Sequence, residues 1–195
     1  MNHYLRISPR LFALVPAAVA INLVMGAIVK ELSLPVYLDT VGTVLVAVLV
    51  GFGGGALVGT ISQLLIGLLT GYQSLPFVVI QWLLALLVAA ATRRGGFASV
   101  WRTVAWGVAC GLCCGAASAV IAYLLFRGAT GGGVVWVTAA LRVVGLPLPV
   151  AVAIGSGTTD VLDKGIVIVA VGTLLRALPR RILGRFPLAA RAAAQ

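Results

Sequence analysis

Between Asp39 and Arg93 the chain carries no charged residue at all. A helix needs about 20 apolar residues to cross a bilayer, so the stretch Thr40–Thr92 has room to cross more than once. The rest of the chain agrees. Of its 195 residues, 62% are hydrophobic and 9% charged, with a mean hydropathy of +1.16. Soluble domains hold about 45–50% apolar and about 25% charged residues. These proportions exclude a soluble globular domain, and they exclude intrinsic disorder as well. The length holds about six spans, with no separate soluble domain, so residues 1–195 read as a single membrane domain.

The expected fold class is therefore an all-α integral membrane protein of six transmembrane helices. The spans are read over Leu11–Val29, Val36–Gly51, Gly54–Gly71, Leu75–Ala91, Thr103–Phe126 and Thr158–Leu178. Lys30-Glu31-Leu32-Ser33-Leu34-Pro35, the glycine run Gly51–Gly55, Gly71-Tyr72-Gln73-Ser74 and Arg93-Arg94-Gly95-Gly96 punctuate them. Ala18-Val19-Ala20 resembles a signal-peptidase site, but the apolar run continues through Val29, longer than a signal sequence requires. With both termini on one side, that side collects Arg6, Arg10, Arg93, Arg94, Arg102, Arg176, Arg180, Arg181, Arg185 and Arg191, and no acid. The other side holds Lys30, Arg127, Arg142 and Lys164 with all four acids: Glu31, Asp39, Asp160 and Asp163. This asymmetry predicts cytoplasmic termini. It also assigns the formal net charge of +10 to orientation and anionic lipid, rather than to nucleic acid, for which no aromatic-studded basic patch exists. Val134–Ile154 is long and apolar enough for a seventh span, which would turn the last helix over. Arg142 near mid-bilayer would cost at least about 2.5 kcal/mol. Residues 127–157 are read instead as an external cap between helices 5 and 6, with a short helix Val134–Val144.

Catalytic chemistry finds no foothold. The single histidine, His3, lies in the leader, so neither a Ser-His nor a Cys-His couple can form in the membrane. No nucleophile-elbow, zincin or phosphate-loop motif occurs. No metal site and no cofactor are expected. Cys110, Cys113 and Cys114 stand among Gly107, Gly111 and Gly115, and read as small packing residues on a helix that another backbone approaches closely.

Ionisable residues inside membrane helices mark function by default. Asp160, Asp163 and Lys164 fall at i, i+3 and i+4, on one helical face, and Asp39 opens the second span. Capping or a purely structural ion pair is the competing role for each. Asn22, Gln63 and Gln81 are expected to turn inward. Tyr37, Tyr72, Trp82 and Trp136 suit an interfacial belt or a pocket wall.

Six helices in 195 residues, with the strings Leu34-Pro35-Val36-Tyr37-Leu38-Asp39-Thr40-Val41-Gly42-Thr43 and Thr159-Asp160-Val161-Leu162-Asp163-Lys164-Gly165, resemble the substrate-binding S components of energy-coupling factor (ECF) vitamin transporters. The resemblance implies a non-catalytic subunit of the bacterial cell membrane. Such a subunit binds a small water-soluble vitamin or precursor from outside, and topples to deliver it. It works with a membrane coupling subunit and two cytoplasmic ATPase subunits that hydrolyse the ATP. Tyr37, Asp39, Trp136, Arg142, Asp160, Asp163 and Lys164 would then contact substrate. Ala13, Ala17 and Ala20 would face the coupling subunit, with Pro16 a departure inside that motif. Two other readings share the pocket: a ligand-binding membrane sensor, and a small ion-coupled secondary carrier. The first is distinguished by a signalling partner, the second by gradient-driven uptake without an ATPase.

Overall fold

A computed structural model describes residues 9–130, 133–186 and 188–189. His3, Arg6 and Arg191 lie outside the described residues. All regular structure in the described part is helical: α1 (Pro9–Glu31), α2 (Val41–Val50), α3 (Phe52–Thr70), a 3-10 segment (Tyr72–Phe77), α4 (Val78–Arg93), α5 (Val100–Phe126), α6 (Gly133–Val143), α7 (Leu148–Ala177) and the short α8 (Arg180–Leu183). Four helical stretches are long and apolar enough to cross a membrane: Ala13–Glu31, Phe52–Thr70, Tyr72–Arg93 and Val100–Phe126.

The breaks follow from local chemistry. Gly51 and Gly71 hold φ of +108° and +112°, backbone that side-chain-bearing residues rarely adopt, and so end α2 and α3. Ser99 starts α5 by accepting a hydrogen bond from the Arg102 amide at 3.3 Å. Consecutive long helices run in opposite directions. A Cβ added at Gly42 would meet Ala18 in α1, and one added at Gly54 would meet Val50. Along α5, Gly107, Gly111 and Gly115 meet Gly165, Val161 and Gly157 of α7 in descending order. These contacts are with backbone: a Cβ at Gly111 would sit 2.5 Å from the Val161 Cα. The glycine spacing read from the sequence is thus the seam on which α5 and α7 close. Cys110 and Cys114 are buried beside that seam and Cys113 is exposed; all three are free.

Val44, Val48, Leu84, Val88, Val167, Ile168 and Val171 form the centre of the apolar core. A second cluster joins Val15, Ala18 and Val19 of α1 to Val46 and Val58. Large apolar side chains also point outward, among them Leu57, Leu64 and Leu68 on α3, Leu112, Val120 and Leu124 on α5, and Leu162, Ile166 and Leu174 on α7. A helix apolar on its outer face as well as its inner one suits lipid surroundings.

Two boundaries lie well away from the sequence reading, while the others fall within a few residues of it. The second span was expected from Val36, but helix begins only at Val41, after a non-helical stretch 32–40 in which Leu38 holds φ of +51°. The last span was expected from Thr158, after a cap that ran to residue 157. Instead α7 starts at Leu148 and absorbs the end of that cap. Pro149 falls in the first turn of α7, where a missing N–H removes no helical hydrogen bond. The short helix of the cap region is α6, which packs along the first part of α7: a Cβ at Gly155 would meet the Thr138 hydroxyl and the Val134 carbonyl.

Candidate functional site

At the end of the bundle reached by the C-terminal halves of α1 and α3 lies a cavity of about 480 Å³, within the usual range for small-molecule sites. Stretch 32–40, the 3-10 segment, the start of α4, the middle of α5 and α7, and Trp136 of α6 complete its wall. The chain's described ends lie at the opposite pole, with Arg93, Arg94, Arg102 and Arg176. There the Arg176 guanidinium donates to the Thr103 hydroxyl at 2.8 Å.

The charged face of α7 is fully buried. Asp160, Asp163 and Lys164 are each no more than 2% exposed. Lys164 Nζ lies 2.5 Å from Asp163 Oδ2 and 3.3 Å from Asp160 Oδ1, and 5.8 Å from the centre of the Tyr37 ring. The other oxygen of Asp163 accepts hydrogen bonds from the backbone amides of Tyr37, at 3.0 Å, and Leu38, at 2.7 Å. Non-helical backbone needs such partners wherever water is excluded. Asp163 therefore clamps stretch 32–40 to α7, across 126 residues of chain. Asp39, at the end of that stretch, accepts from Gln63 Nε2 at 3.3 Å through Oδ2, and its backbone carbonyl accepts from Gln81 Nε2 at 3.5 Å.

Next to this site is a closed polar hub. Asn22 of α1 donates to the hydroxyls of Thr43, at 3.1 Å, and Ser62, at 3.0 Å, and accepts from the Gly42 amide at 2.7 Å. Thr43 in turn donates to Gln81 Oε1 at 2.8 Å. Four helices are thereby tied by side chains with both donors and acceptors used. The cavity wall is different. Thr40, Gln63, Ser74 and Thr130 line it, and among the described residues a buried oxygen of each has no hydrogen-bond partner. Buried polar groups are nearly always partnered, so four such atoms on one wall point to a molecule that supplies the partners.

The structure brings Tyr37, Asp39, Trp136, Asp160 and Lys164 together on this wall. It does not bring Asp163 or Arg142 there. Asp163 stands behind the wall as the clamp just described. Arg142 is exposed, and its guanidinium donates to the Leu146 carbonyl at 2.8 Å. That carbonyl lies in the link between α6 and α7, so this contact is local. Ala13, Ala17 and Ala20 are exposed along one face of α1, while Ala18 and Asn22 face inward. Tyr72 and Trp136 are exposed at the cavity end, and the exposed Trp82 indole donates to the Thr60 hydroxyl at 2.8 Å. Thr40, Ser74 and Thr130 escaped the sequence reading, since a lone hydroxyl in an apolar run carries no periodic signal. The chain matches no family model, no curated protein and no solved structure.

Proposed function

We propose that this protein is the substrate-specificity subunit of an ECF-type importer of the bacterial cell membrane, binding a small water-soluble vitamin or precursor and passing it inward. The observation that carries the reading is the cavity of about 480 Å³ whose wall combines buried charge with four unpartnered polar atoms. On this reading the chain crosses six times: stretch 32–40 with α2 makes one pass, α7 another, and the four long apolar helical stretches the rest. The arginine-rich pole faces the cytoplasm and the cavity opens outside. The exposed face of Ala13, Ala17 and Ala20 suits close approach of a coupling subunit. ATP is hydrolysed by two partner ATPases, and this chain does no chemistry.

The test is thermal unfolding of the purified protein in detergent with vitamins and their precursors added one at a time. A true ligand at a hundredfold its Kd stabilises by about 2.7 kcal/mol through mass action. Uptake of that ligand in vesicles should require the coupling subunit and both ATPases. A panel without a single shift overturns the binding role. Uptake by this chain alone, driven by an ion gradient, replaces the reading with a secondary carrier. A reporter fused after Gln195 that proves extracytoplasmic overturns the orientation.

A further inference from the structure

The charges around the cavity narrow what it can hold. The cations on its wall are Lys30, exposed at the rim, and Lys164, buried at the base. Lys164 is already engaged by Asp160 and Asp163 and faces the Tyr37 ring. The ion pairs given by the described residues are both Lys164's, and Asp39 has none. Two carboxylates thus share one ammonium and a third, Asp39, stands on the wall without a cation, so the base carries a formal excess of negative charge. An independent feature points the same way. Gln63 is 5% exposed, and its Nε2 is turned to Asp39. Its Oε1, on the other branch of the amide, is a buried acceptor on the cavity wall without a donor. Much of the remaining wall is apolar or aromatic, with Phe77 and Ile80 inside and Trp136 at the mouth. An anion would meet surplus carboxylate and no uncommitted buried cation, whereas a positively charged N–H donor would meet both a charge and an acceptor.

Resting on the reading of this cavity as a ligand site, we propose that its ligand is a small organic cation: a protonated amine or nitrogen heterocycle with an aromatic body, its charged head at Asp39 and Gln63 and its ring against the aromatic side chains. The experiment uses three probes of nearly one shape: tryptamine (cation), tryptophol (neutral) and indole-3-acetate (anion). Their affinities are measured by calorimetry on the full-length protein in detergent. Tryptamine should bind roughly tenfold or more tighter than tryptophol, and indole-3-acetate should bind weakest. Asp39→Asn should shrink the gap between tryptamine and tryptophol to less than about threefold. The ranking in the parent protein stands as a test even where that variant fails to fold. Equal binding of tryptamine and tryptophol, or preference for indole-3-acetate, overturns the cation assignment while leaving the ligand site intact. Binding of none of the three overturns the cation assignment, and the vitamin panel then decides separately whether the site itself stands.

Discussion

Two polar clusters are buried side by side in this bundle, and they are built in opposite ways. The hub of Asn22, Thr43, Ser62 and Gln81 closes on itself, donor to acceptor, across four helices. The cavity wall leaves oxygens of Thr40, Gln63, Ser74 and Thr130 without partners. Each such atom costs about 1–3 kcal/mol when buried, so the second cluster is held open against its own energetics. The two glutamines make the point most directly. Gln81 has both amide atoms engaged, whereas Gln63 has only its nitrogen engaged. Polarity within a membrane helix does not by itself mark a ligand contact; several unpartnered atoms gathered on one cavity wall do, unlike the lone unpartnered hydroxyl of Thr138 between α6 and α7.

That contrast can be broken or sharpened by substitution. The largest effect belongs to Asp163→Ala, which leaves buried Lys164 with Asp160 alone on one side and two backbone amides without their acceptor on the other. It should destabilise by about 3–5 kcal/mol in unfolding measured in detergent, and an unchanged midpoint would show that the clamp holds nothing. Gly111→Ala should cost about 3 kcal/mol, because the new methyl meets Val161 backbone rather than a mobile side chain. Equal stability there would mean that α5 and α7 separate easily. Asn22→Ala should cost about 2 kcal/mol and leave ligand affinity alone. Gln63→Leu should do the reverse, lowering affinity for a bound ligand roughly tenfold with under about 1 kcal/mol lost in stability. If these two variants exchange phenotypes, the hub is the site and the wall is structural. Arg142→Ala should change stability by no more than about 0.5 kcal/mol and affinity not at all; a clear loss of binding would return Arg142 to the site.

Much of this was visible in one dimension. The charge-free stretch announced apolar helices, the four-residue glycine spacing gave the face of α5 that closes on α7, and the i, i+3, i+4 spacing put Asp160, Asp163 and Lys164 together. What the spacing could not carry was the partner. Nothing near Asp163 in sequence says that its carboxylate reaches the amides of Tyr37 and Leu38, because that contact depends on how α7 lies against stretch 32–40. The start of α2 was hidden for a related reason. Residues 36–40 hold no glycine or proline to announce a break, and in the fold Leu38 takes positive φ while Asp163 accepts from the Tyr37 and Leu38 amides. The start of α7 was misplaced because a proline pair reads as a break, although a first helical turn accepts proline freely. Arg142 stood out because charge beside an apolar run is rare; in the fold its guanidinium holds a carbonyl of the link between α6 and α7.

The brevity of α2 sets how deep a solute would travel. Ten residues rise about 15 Å, roughly half of a bilayer's oily thickness. On the proposed topology α2 ends at the arginine-rich pole, so its first residue, and Asp39 just before it, stand near the midplane. A molecule resting there has finished half its crossing before any partner acts, and only the ten-residue α2 and the core packed around it separate it from the cytoplasm.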